Sequence, residues 1–149
     1  MKRSSLILIA AMLIVSVIIA SATVPAEKAS KKKRKADITG TWQMESYKHS
    51  SLVNEFTMVP DDMPRIKLIT EDNFCWSNID GSGKIISSAG GKYTLEGDQY
   101  TESIDYGLNM DLYLGTKSVF TLKLEGDMLF ISGKLSTGQK IEQVWHRVK

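Results

Sequence analysis

The sequence predicts an all-β domain, an up-and-down antiparallel β-barrel of about eight to ten strands, and three observations carry that prediction. From Ile38 onward apolar and polar residues alternate with period two, the repeat of a strand that buries one face. Turn signals rich in Gly, Asp and Ser recur about every ten residues. Two of these turns share one chemistry, Glu96-Gly97-Asp98 and Glu125-Gly126-Asp127, where the Gly supplies the positive φ of a tight hairpin.

Taken in order, Trp42 to Tyr47 reads as the first strand. Arg65 to Ile69 and Phe74 to Ser77 form a pair around a turn at Glu71-Asp72, and Asp80 to Gly83 turns the chain into Lys84 to Ser88. The run from Tyr93 to Tyr106 is two strands about Gly97, and Phe120 to Leu124 pairs with Met128 to Ser132 about Gly126. Ser136 to Gly138 leads into the last strand, Lys140 to Val148. Two stretches break the meander, Lys48 to Pro64 and Gly107 to Lys117. Short sequential hairpins make sequence neighbours into spatial neighbours, and closing the set removes the unpaired edges on which an open sheet would aggregate.

Side-chain parity supplies a provisional interior. With Trp42 inward, Met44 and Ser46 follow, and in the last strand Ile141, Gln143, Trp145 and Arg147 share a face while His146 takes the other. Further inward positions are Ile66, Leu68, Tyr93, Leu95, Tyr100, Ile104, Phe120, Leu122 and Leu124. Glu102 lies on the face of Tyr100, Ile104 and Tyr106, so its carboxylate is expected inside the barrel, where a charge must be paired or neutralised. It is expected either to pair with Arg147, Arg65 or a Tyr hydroxyl, or to serve as the polar anchor of an apolar cavity. Phe74 and Trp76 share one face, and parity leaves open whether Trp76 lines a cavity or covers the outside.

The N-terminal segment reads as an address. Lys2 and Arg3 precede an apolar run from Leu6 to Ala20, and Ala20-Ser21-Ala22 is a small-x-small cleavage pattern, so residues 1–22 are expected to be a secretory signal and the product secreted or periplasmic. An uncleaved anchor is the alternative, since the run approaches the ~17 residues that span a bilayer. Residues 23–36, with the basic run Lys31 to Lys35, lack periodicity and are expected to be a disordered linker capable of weak contact with anionic membrane. Residues 37–149 are the barrel domain.

Composition excludes several chemistries. One Cys and two His cannot build a disulfide framework, a zinc ribbon or an iron-sulfur site. Residues 1–36 hold eight Lys/Arg and one Glu (8−1=+7), which leaves eleven basic and sixteen acidic side chains (11−16=−5) in the rest. A mildly acidic domain without interleaved aromatic and basic residues is not expected to bind nucleic acid. No nucleophile elbow is present, His49 beside Ser50 and Ser51 reads as a solvated loop residue, and an outward His146 argues against a haem ligand. Asp61-Asp62 reads as turn chemistry, Asp80 to Gly83 lacks the spaced ligands of a calcium loop, and Cys75 reads as a packed apolar thiol. No catalytic residue, metal or cofactor is expected.

Ile38-Thr39-Gly40-Thr41-Trp42 resembles the GxW opening of lipocalin-like (calycin) barrels, and Trp145-His146-Arg147 supplies the basic residue that lies across the opening Trp in that superfamily. The stretch from Ile38 to Lys149 is similar to small exported bacterial lipocalin-like domains of unknown function. The resemblance implies an end closed by Trp42 and Arg147 and an opposite end open to a small apolar or amphipathic molecule. The expected ligand-facing residues are Met44, Tyr93, Tyr100, Glu102, Ile104, Phe120 and Trp145, in a monomer. The alternative function is a non-catalytic cell-envelope interaction module with a filled barrel. Cavity volume separates the two, because ligand sites run to ~300 Å³ or more.

Overall fold

The computed structural model describes residues 36–49 and 55–148. The expected signal segment, and the linker apart from Ala36, lie outside the described residues, as do Ser50 and Ser51.

Among the described residues nine strands follow one another: β1 (Gly40–His49), β2 (Thr57–Met58), β3 (Arg65–Ile69), β4 (Asn73–Ile79), β5 (Ile85–Glu96), β6 (Gln99–Leu108), β7 (Lys117–Glu125), β8 (Met128–Lys134) and β9 (Lys140–Arg147). Every pairing is antiparallel, β3 to β9 run in sequence order, and β9 returns to β1 with Met44 opposite Trp145. Eight strands thus close into a barrel, and β2 adds a short outer pairing, Ser46 with Met58. The expected up-and-down all-β barrel is the observed fold. Its hairpins turn where the sequence placed them, with Gly97 at φ 67° and Gly126 at φ 59°, values that other residues rarely adopt.

The core follows the alternation of the strands. Trp42, Phe74, Tyr100, Leu129 and Ile131 are almost wholly buried, and Leu95, Leu122 and Trp145 pack with them. At one end, residues 37–39 wrap beneath the barrel. Trp42 Nε1 donates to the Ile38 carbonyl at 2.9 Å, and the Arg147 guanidinium lies 4.2 Å above the Trp42 ring. Arg147 also donates to the Thr39 carbonyl and, at 3.2 Å, to that of Asp37. Two hydrogen bonds from Thr39, through its hydroxyl and its backbone N–H, hold the Asp37 carboxyl below the usual carboxylate range. The implied closed end therefore has its Trp, its cation and a braced loop.

Parity fails at three places, each for a physical reason. A bulge at Glu45 sets Met44 against Trp145 and Ser46 against Val144, so the facing of β1 is exchanged beyond it. Ser46 is buried between the barrel and β2 rather than in the interior; Lys48 reaches Glu142 on the outer face at 3.2 Å, and His49 turns inward. A second bulge, at Asp105, pairs Gly91 with Ile104 but Gly90 with Tyr106, which carries Tyr106 outside, 58% exposed. Gly91 is needed there, because a methyl group would overlap the Ser103 carbonyl oxygen. The third departure is β3, where Arg65, Lys67 and Ile69 face inward and Ile66 and Leu68 outward, the latter 46% exposed. Lys67, only 3% exposed, is the counter-charge that the buried Glu102 requires, and the opposite parity would have stranded that carboxylate.

Candidate functional site

The barrel interior holds a cavity of about 260 Å³ at the end away from Trp42. Its floor is polar. Lys67 Nζ and Glu102 Oε1 meet at 2.6 Å, and the rings of Trp145, Phe74 and Tyr100 surround the ammonium at 5.2, 5.6 and 5.7 Å. Cation-π attraction to three rings replaces part of the hydration that Lys67 loses. Burial, then the neighbouring Glu102 charge, push the Tyr100 hydroxyl well above its usual range, so it stays a neutral phenol beside the carboxylate.

Apolar side chains make the walls. Met44, Trp76, Ile104, Phe120, Ile131 and Ile141 come from six different strands, each on the inward parity of its own. The Trp145 indole N–H donates to Gln143 Oε1 at 3.2 Å, which fixes one polar group against the wall. Above it stand Ser118, Asn78 and the exposed Gln139. Asn78 donates to Ser87 Oγ at 2.8 Å, and Ser118 Oγ accepts from the Ser136 backbone at 3.1 Å.

The loop after β6 folds back over the opening. Across the base of that loop the Ile104 N–H donates to the Thr116 carbonyl and the Gly115 N–H to the Ile104 carbonyl, and the turn begun at Asn109, φ 58°, places Met110 and Tyr113 on the rim. Thr116 Oγ1 donates to Ser136 Oγ at 2.9 Å and ties this loop to the one before β9.

A cation and an imidazole complete the opening. The Arg65 guanidinium stacks 3.9 Å from the Tyr47 ring and points a nitrogen at Met44 Sδ, 3.8 Å away. Tyr47 in turn lies 4.7 Å from the His49 ring. Loss of water, then the charge of Arg65, hold the His49 imidazole below its usual range, so it is neutral near pH 7. Its Nε2 is buried and has no hydrogen-bond partner among the described residues.

Of the residues expected to face a ligand, Met44, Glu102, Ile104, Phe120 and Trp145 line the cavity. Tyr93 and Tyr100 do not. Tyr93 packs lower, where its hydroxyl donates to the Thr70 carbonyl at 2.8 Å, and Tyr100 lies fully buried beneath the floor against Phe120. His49, Arg65 and Lys67 line the cavity without having been expected to face a ligand; Arg65 was expected inside only as a possible partner of Glu102. His49 read as a loop residue, yet it closes β1 inside the barrel, and the ion-pair partner of Glu102 is Lys67 rather than Arg147 or Arg65. The available signal was the spacing of Arg65, Lys67 and Ile69 on one parity, outweighed by the greater apolarity of Ile66 and Leu68. Trp76, left open by parity, lines the wall; Cys75 is half-buried on the opposite face of β4. His146 faces outward, Nδ1 3.4 Å from Glu45 Oε1. Asp80 is a turn residue, accepting from the Ser82 hydroxyl at 2.6 Å and from two backbone N–H groups, which lowers its carboxyl.

An eight-stranded meander closed by Trp42 under Arg147, with a cavity at the other end, is a lipocalin-like β-barrel. The chain belongs to the family described as Domain of unknown function (DUF4488), whose profile matches residues 37–149. Among solved structures it is similar to a lipocalin-like protein from Bacteroides uniformis, with a TM-score of 0.56 and 17% identity over 76% of this chain and 100% of that one. It is also matched to zebrafish ileal bile acid-binding protein in complex with cholic acid, with a TM-score of 0.37 and 15% identity over 74% of this chain and 98% of that one. No curated protein matches the chain.

Proposed function

We propose that this domain binds a small amphipathic molecule inside its barrel. The observation that carries the reading is the cavity of about 260 Å³, apolar along its walls and polar at floor and mouth. A pocket that is mostly apolar with a few placed polar groups is the usual form of a small-molecule site. The volume falls just under the ~300 Å³ at which such sites commonly begin, so the ligand is small: one short chain or a single ring system. The signal pattern at residues 1–22 supports action outside the cytoplasm, and the basic run Lys31 to Lys35 supports loose attachment to anionic lipid. The reading tests directly by native mass spectrometry of protein purified from its own source. A retained molecule of lipid-like mass, lost on denaturation, is the expected result; only the bare chain, with no uptake of added short-chain amphiphiles, would leave the filled-barrel module in its place.

A further inference from the structure

The proposed ligand has two ends, and the cavity treats them differently. Its lining carries two cations, Arg65 and Lys67, against one carboxylate, Glu102. Glu102 is already committed to Lys67 at 2.6 Å. Among the described residues no carboxylate lies within ion-pair distance of Arg65, whose guanidinium meets only the Tyr47 ring and the Met44 sulfur. Neither is a match for a group with five fixed N–H donors. Next in the same stack, the His49 imidazole offers a buried nitrogen, Nε2, that no described residue engages. One uncompensated cation and one idle ring nitrogen therefore share the mouth of an otherwise apolar chamber.

We infer that this mouth holds the anionic head of the ligand, a carboxylate or similar monoanion, between the Arg65 guanidinium and His49 Nε2, with the apolar tail directed down toward Phe120 and Ile131. The inference rests on the binding function proposed above and specifies its ligand class. A carboxylate would take two parallel N–H bonds from Arg65 and one from the imidazole in its Nε2–H form, which satisfies both groups at the mouth that are now short of a partner. The Lys67–Glu102 pair, neutral as a unit, would meet the tail end without attracting a second charge. A cationic head is disfavoured on the same grounds, since it would be placed against Arg65.

The test compares probes that differ only in the head: decanoate, decanol and decylamine, titrated calorimetrically into the full domain at pH 7.5. Decanoate is expected to bind at least about tenfold more tightly than decanol, the scale of a charge-assisted hydrogen bond, and decylamine more weakly than either. In Arg65→Gln the ratio of decanoate to decanol affinity should fall to about one, with a thermal melt confirming that the variant is folded. A second readout needs no variant: the His49 ring titration, followed by NMR, should move up when decanoate is bound and stay in place with decanol. The groups facing that ring are Arg65 from β3 and Tyr47 from β1, with the Lys48–Glu142 pair on the outer side of β1 and β9. Equal affinities for decanoate and decanol, or an unmoved His49 titration, would overturn the anionic head and leave the binding function standing. Binding of none of the three would overturn both.

Discussion

Lys67 and Glu102, 35 positions apart in the chain, meet at 2.6 Å inside the barrel with side chains 4% and 6% exposed. Neither charge would be tolerated there alone. The pair joins β3 to β6 across the interior and forms the floor on which the cavity rests, so packing below it and binding above it are joined at one contact.

Removing one partner should therefore cost far more than removing both. Lys67→Met is expected to lower stability by about 3 to 5 kcal/mol, because it leaves Glu102 buried without a counter-charge. Adding Glu102→Leu to that variant should recover most of the loss, since a well-packed apolar pair of similar volume is often neutral relative to a buried ion pair. Urea unfolding of the two variants and the parent measures this. A double variant no more stable than the single one would contradict it.

Trp42 is fully buried, donates to the Ile38 carbonyl and lies under the Arg147 guanidinium. Trp42→Ala should cost about 3 to 5 kcal/mol, as large core truncations do. Arg147→Met, which keeps much of the apolar stem, should cost about 0.5 to 2 kcal/mol through the lost cation-π contact. A loss below about 1 kcal/mol for Trp42→Ala, the scale of a surface substitution, would mean that the closed end is not a structural seal.

The titration of His49 gives stability a dependence on acid. Burial, then Arg65, depress its folded pKa below the ordinary 6.5, so the unfolded chain takes up a proton first as the pH falls. The contribution is fully present above about pH 6.5 and is lost as pH falls through the folded value. His49→Gln should flatten the urea midpoint between about pH 5 and 7, and a profile unchanged by the substitution would place the titration elsewhere. On the alkaline side Tyr100, with its pKa raised by burial and then by Glu102, contributes stability that is present below about pH 10 and lost as pH rises beyond it. Tyr100→Phe should remove that loss.

Much of this fold was legible because its signals are local. The two Glu-Gly-Asp turns need only adjacent residues, and both glycines take the positive φ that the pattern required. Trp42 and Arg147 were readable from the strand ends that carry them. What parity could not supply was where it changes. A bulge adds one residue to one strand, and neither Glu45 nor Asp105 differs in composition from an ordinary outward strand residue. Ser46 and Tyr106 were misassigned for that reason, and His49 because the first strand was expected to end at Tyr47 whereas β1 runs on to His49. In β3, counting apolar residues favoured Ile66 and Leu68, whereas the buried charge of Glu102 on a distant strand called for Lys67, and long-range compensation leaves no trace in a short window. The five cavity residues that were anticipated lie where the alternation is unbroken; Tyr93 and Tyr100 have the right parity but the wrong height, which depends on the stagger of the closed barrel.

The central claim, that a ligand enters the chamber above Lys67 and Glu102, has a built-in reporter and a built-in control. Trp76 and Trp145 line the cavity, the latter with its indole N–H on Gln143, while Trp42 is sealed at the other end with its N–H on Ile38. In a two-dimensional NMR spectrum of nitrogen-labelled protein, titration with decanoate should shift the indole signals of Trp145 and Trp76 and leave that of Trp42 in place. Movement of Trp42 alone, or no movement of Trp145 at saturating decanoate, would contradict the account.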